Sequence, residues 1–139
     1  TLWSSAEDAK KQVKWGLRQA DIVKISDEEI RCFFSLDVES GVRYILEEYK
    51  VKLVVVACGV KEFYFCNCNG GGKIDGLSDV NPMVAAYAGD YMWGNIVWKL
   101  LQVNISPEAL MADEIRDIIS FACDSAETAL IKCNSRKQD

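Results

Sequence analysis

The side chains that carry most enzyme chemistry are unevenly supplied in this sequence, which has no histidine, six cysteines, and 21 acidic residues against 16 basic ones. Without imidazole the commonest general base is missing, and so are Ser-His and Cys-His nucleophile pairs and nitrogen ligation of zinc. Cys66 and Cys68 stand one residue apart, a spacing that fits neither a zinc knuckle nor a redox Cys-x-x-Cys pair. They read as two same-face residues at the end of a strand. Cys32, Cys58, Cys123 and Cys133 lie in apolar segments, where a reduced thiol packs as a small hydrophobe. Among the carboxylates, Glu29 closes Ser26-Asp27-Glu28-Glu29, a capping box in which the Ser26 hydroxyl and the Glu29 carboxylate exchange hydrogen bonds with each other's backbone amides. Asp90 follows Ala88-Gly89 and reads, on its own, as a residue on the solvated face of a helix.

Charge and hydropathy narrow the partners. The net charge is −5 and no run of Lys or Arg is long enough to track a phosphate backbone, which argues against nucleic acid. The longest apolar run, Leu53 to Gly59, is far short of a bilayer span, and the N-terminus has no charged-then-apolar signal layout. A soluble, cytoplasmic protein without a membrane partner is expected.

The elements that would position these residues alternate along the chain. Ser4-Ser5-Ala6-Glu7 opens a helix over about 5–18, with Ala6, Ala9, Val13 and Leu17 on one face. Asp21 to Ile25 is a short strand, the Ser26 cap opens a helix through Ile30, Phe33 and Phe34, and Val38 to Tyr49 is an amphipathic helix that buries Val42, Ile45 and Leu46. Val51 to Cys58 has the continuous apolar character of a strand covered on both faces. Glu62 to Cys68 and Lys73 to Leu77 flank Asn69-Gly70-Gly71-Gly72, a hairpin with its glycines in the turn. Asn81-Pro82 caps a helix over Met83 to Leu101, Ser106-Pro107-Glu108 begins another, and Asp113 to Lys132 is the last, with an inner stripe from Ile115 to Ala129. The expected architecture is a three-layer α/β domain over residues 1–133, with a mainly parallel central sheet, an antiparallel edge hairpin, helices on both faces, and a polar tail over 134–139.

In that order, Leu2-Trp3-Ser4-Ser5-Ala6-Glu7, Ala20 to Glu29, Val54-Val55-Val56-Ala57-Cys58-Gly59, the hairpin, Val80-Asn81-Pro82, Ala88-Gly89-Asp90 and Phe121-Ala122-Cys123 resemble the C-terminal portion of fructokinases of the ribokinase/PfkB-type carbohydrate kinases. The resemblance implies a ribokinase-like fold and covers about half of a family member. The missing half would be the N-terminal part, which in the family supplies much of the sugar site and the lid. It further implies Asp90 as the base that deprotonates the sugar hydroxyl, and the amides of Ala88 and Gly89 as remnants of the anion hole. Gly59 falls in the nucleotide-side turn, Cys123 falls near the adenine, and Glu29 stands at the glutamate that tunes magnesium and phosphate indirectly. Phosphoryl transfer needs mainly positioning and charge stabilisation, which a glycine-rich helix N-terminus supplies.

The sequence departs from the family pattern where the chemistry lies. Val84, Ala85, Ala86 and Tyr87 occupy positions that the family fills with an acidic residue, two hydroxyl donors and a glycine. Tyr87 crowds the phosphate position, and residues 83–88 favour helix, so the Asn81-Pro82 cap is expected to start a helix before Gly89 and close the anion hole. Glu62 sits where a glycine is usual and would repel nucleotide phosphates. Gly89 and Gly94 read either as relics of the family or as sites of close packing against the sheet. Tyr91, Met92, Trp93 and Trp98 give the helix more apolar surface than solvent tolerates, which suggests core packing, or a homo-oligomer or partner covering that region. The expected function is that of a catalytically degenerate, truncated or engineered fragment of a fructokinase-like kinase, acting by binding or self-association and needing no cofactor. The alternative is the nucleotide-binding part of an active carbohydrate kinase that uses ATP and Mg.

Overall fold

Residues 53–56 are fully buried on both sides of the chain, and the other elements are arranged around them. The computed structural model describes residues 4–59, 61–77 and 82–135. Four strands, β1 (Ile22–Ser26), β2 (Leu53–Cys58), β3 (Glu62–Asn67) and β4 (Gly70–Asp75), form one sheet in the order β1-β2-β3-β4. The helices α1 (Ala6–Leu17), α2 (Asp27–Phe34) and α3 (Val38–Tyr49) belong to one face, and α4 (Pro82–Val103) and α5 (Ala112–Ser135) to the other.

The period-two alternation of a strand divides the core. Val54 and Val56 of β2 pack with Ile30, Val42, Ile45 and Leu17 on the side of the first three helices. Leu53 and Val55 pack with Phe63, Phe65, Met92, Ile96, Ile115 and Ile119 on the other. Each fully buried side chain of this size contributes roughly 1.5–3 kcal/mol relative to exposure. The layered α/β expectation therefore holds, with β2 as an inner strand. The balance of strand directions is different from a mainly parallel sheet: β1 and β2 are parallel, while β2-β3 and β3-β4 are antiparallel. The hairpin joins β2 directly instead of sitting beyond further parallel strands.

Among the described residues β1 has one sheet neighbour, β2. Its Asp21 carbonyl accepts from the Leu53 amide at 3.2 Å, and alternation along a parallel ladder then turns the backbone groups of Ile22 and Lys24 away from the sheet. The Lys24 side chain is exposed there.

Local differences from the sequence expectations have identifiable causes. The cap of α1 is Ser5, which accepts from the Asp8 amide at 3.1 Å, while the Ser4 hydroxyl donates to the Asp8 carboxylate. The hairpin turn is Cys68-Asn69, since Asn67 pairs with Gly70, and the glycines lie in β4. Close approach requires them there: a Cβ on Gly71 would stand 2.7 Å from the Phe65 carbonyl oxygen, and one on Gly72 would stand 2.8 Å from the Phe65 ring. Asn67 and Asn69 anchor this turn by donating to the Leu110 carbonyl at 2.8 and 3.2 Å. Pro107–Ala109 makes only a short 3-10 turn, and α5 continues to Ser135, taking in the first two residues of the expected tail. Asn81 lies outside the described residues.

Gly41 of α3 faces Ile30 of α2 so closely that a Cβ would collide with the Ile30 side chain. Gly41→Val should therefore lower stability by about 1–3 kcal/mol through overpacking, read as a lower midpoint with an unchanged slope in urea unfolding.

Candidate functional site

The carboxyl ends of parallel strands are where open α/β sheets hold ligands, and β1 and β2 bring two of the expected residues to that end. Ser26 pairs with Ala57, so the chain leaves the sheet at one level towards Glu29 from β1 and towards Gly59 from β2. Gly59 is exposed and has φ +64°, a left-handed conformation that favours glycine. Glu29 is taken up by the α2 capping box. Its carboxylate accepts from the Ser26 amide at 2.7 Å, and its own amide donates to the Ser26 hydroxyl at 3.1 Å. Glu62, expected to repel phosphate, is paired with Lys73 across the hairpin at 3.2 Å.

Ala88, Gly89 and Asp90 lie within α4, which is helical from Pro82 onward. Only the first four amides of a helix lack an intrahelical acceptor, so the N–H groups of Ala88 and Gly89 bond to carbonyls one turn back. The Ala88 side chain is buried in the core and the Asp90 side chain is exposed. Neither Gly89 nor Gly94 meets any atom within 4 Å at its Cβ position, so close packing against the sheet does not explain these two glycines.

Cys123 is buried on α5, in the same core cluster as Ala88. Its thiol contacts the Met92 sulfur at 3.7 Å. Burial, with smaller effects from Asp124 and Glu127, pushes its pKa up to about 11. The other described cysteines are also free, with Cys66 half-buried and Cys32 and Cys68 exposed. The exposure of Cys32 overturns the expectation that it packs inside; it falls on the outer side of α2, away from Ile30. Among the described residues no group of three or more His, Cys, Asp or Glu side chains is placed to hold a metal ion, and no helix is long and apolar enough to cross a membrane.

The apolar surface of α4 is also redistributed. Met92 is buried and Trp93 packs partly against the core, whereas Tyr87, Tyr91, Trp98 and Leu101 are exposed. The interval from 87 to 91 to 98 to 101 was the available signal, and reading neighbours in sequence instead of helical spacing missed Tyr87 and Leu101. A cavity of about 760 Å³ opens elsewhere, between α3 and β3. It includes Val51 and Lys52 before β2 and Asn67 at the end of β3, so it lies at the opposite end of β2 from Gly59.

These features define a layered α/β protein of the ribokinase-like kind. The chain superposes on a fructokinase double mutant from Vibrio cholerae O395 in fructose-, ADP- and potassium-bound form with a TM-score of 0.73, covering 89% of this chain and 39% of that one at 24% identity. A fructokinase with bound ATP from Xylella fastidiosa also gives a TM-score of 0.73, covering 90% of this chain and 41% of that one at 21% identity. No family model matches the sequence. Among curated proteins, Fructokinase-2 of Solanum habrochaites is 31% identical over 127 residues, which is 88% of this chain and 37% of that protein. The chain thus spans well under half the length of the relatives it matches. It resembles the C-terminal half of a fructokinase-like, PfkB-type carbohydrate kinase.

Two outcomes follow from the geometry. Ser26→Ala and Glu29→Ala should each cost about 0.5–2 kcal/mol, and in a double-mutant cycle by urea unfolding their effects should be non-additive, since both belong to one cap. Strict additivity would separate Glu29 from that role. In thiol labelling at pH 8, Cys32 and Cys68 should react in the folded protein and Cys123 only after denaturation, because its thiol stays protonated and enclosed.

Proposed function

We propose that this chain is a catalytically degenerate relative of the fructokinase-like carbohydrate kinases that acts through binding or self-association instead of phosphoryl transfer. The unbroken course of α4 through Ala88-Gly89-Asp90 carries the reading. An anion hole needs backbone N–H groups free to point at phosphate oxygens, and the amides in question are already hydrogen-bonded within the helix. The residues present fit a nucleotide poorly in other respects. Glu29 serves a helix cap, and Cys123 is sealed against Met92, so its thiol is not open to a base. ATP and Mg are accordingly not expected as cofactors. The exposed aromatic face of α4 supports association as the remaining activity.

The test is a calorimetric titration with ATP and Mg, followed by an assay for ADP with fructose present. No binding heat at millimolar nucleotide and no ADP are expected, and Asp90→Asn should change neither result. ADP formation that disappears in Asp90→Asn would instead identify the chain as the nucleotide-binding part of an active kinase with Asp90 as its base.

A further inference from the structure

A helix that lies on a sheet normally gives one face to the core and a charged face to water; one that is apolar all round is covered all round. Between Pro82 and Val103, α4 carries only two charged residues, Asp90 and Lys99. Its outward face presents Tyr87 at 60% exposure, Tyr91 at 40%, Trp98 at 50% and Leu101 at 73%, with Ile105 at 41% just beyond the helix end. With the exposed Gly94 the helical positions run 87, 91, 94, 98, 101, and the stripe ends there because Asn104, with φ +50°, turns the chain out of the helix. Alternating steps of four and three are the spacing of a helix-pairing seam. Gly94 is the second observation. Glycine inside a helix is unfavourable relative to alanine, yet Gly94 has no positive φ and a Cβ there would meet nothing within 4 Å. Among the described residues nothing occupies the space that a side chain there would fill.

We propose that the outward face of α4 is an antiparallel helix seam that joins two copies of this chain about a two-fold axis, with Trp98 of each copy seated over Gly94 of the other. The same register sets Tyr91 beside Leu101, so that the aromatic residues at 91 and 98 each meet a small or aliphatic one. The exposed parts of these side chains amount to roughly 500 Å² per copy, with aromatics supplying about 150–250 Å² each when fully buried. A pair then buries about 1,000 Å², the lower bound for a specific interface. A lipid surface fits less well, because interfacial helices rely on Lys and Arg along the polar face and α4 has one lysine. The inference rests on the reading of the chain as an associating protein and supplies the partner.

Sedimentation equilibrium across about 1–200 µM protein tests it, a range suited to the weak association of an interface at the low end of specific size. Gly94→Leu and Leu101→Glu should each weaken self-association at least tenfold while circular dichroism stays unchanged. Trp15→Ala, at an exposed aromatic of α1, should leave it unaltered. A strictly monomeric chain would overturn the seam, whatever other partner it bound, and so would a dimer indifferent to both α4 variants. ATP titration of the same samples keeps the two ideas apart: nucleotide binding sinks the degenerate-kinase reading without touching the seam, and a monomer that ignores ATP does the reverse.

Discussion

Burial of β2 on both faces is the constraint on which the remaining architecture depends. A strand with no polar side chain from Leu53 to Val56 cannot leave either face to water, so it requires a helical layer above and below and a hydrogen-bonded neighbour along each side. α2 and α3 supply one layer and α4 and α5 the other. β1 and β3 supply the neighbours, and the parallel pairing of β1 with β2 needs the crossover that α2 and α3 provide. The ends of that pair, Ser26 and Cys58, are thereby held by the core at one level of the sheet.

A backbone amide has one proton to donate, so the amides of residues 88 and 89 serve either the helix or a phosphate. Local sequence tilts the choice. Where the family resemblance implies hydroxyl residues and a glycine, Ala85, Ala86 and Tyr87 stand here, and each makes the helical state more favourable. On the proposed reading, one stretch, residues 82–103, accounts both for the closed amides at 88 and 89 and for the exposed aromatic face of the helix.

The parts of the fold legible in the sequence were those set by local rules. The α2 capping box, the bounds of α3 and the two-sided burial of β2 follow from hydrogen-bond reach and hydrophobic period, and the structure has them. The hairpin was misread at Gly70–Gly72, because glycine signals both turns and close contacts, and only the tertiary position of Phe65 decides between them. The orientation of α4 was similarly hidden. Its residues are mostly apolar, so hydropathy alone does not tell Met92, which is buried, from Tyr91, which is exposed. Candidate site residues were named through family resemblance, and which backbone amides are free is a property of helix continuity that no single residue encodes.

The outer edge of β1 carries a further consequence. Among the described residues no strand pairs with the outward amides and carbonyls of Ile22 and Lys24, and such a row can accept an extended segment. Lys24 stands in the middle of that row. Two such strands laid against each other about their midpoints would force ammonium groups together, so the exposed Lys24 disfavours pairing of this edge with its own copy.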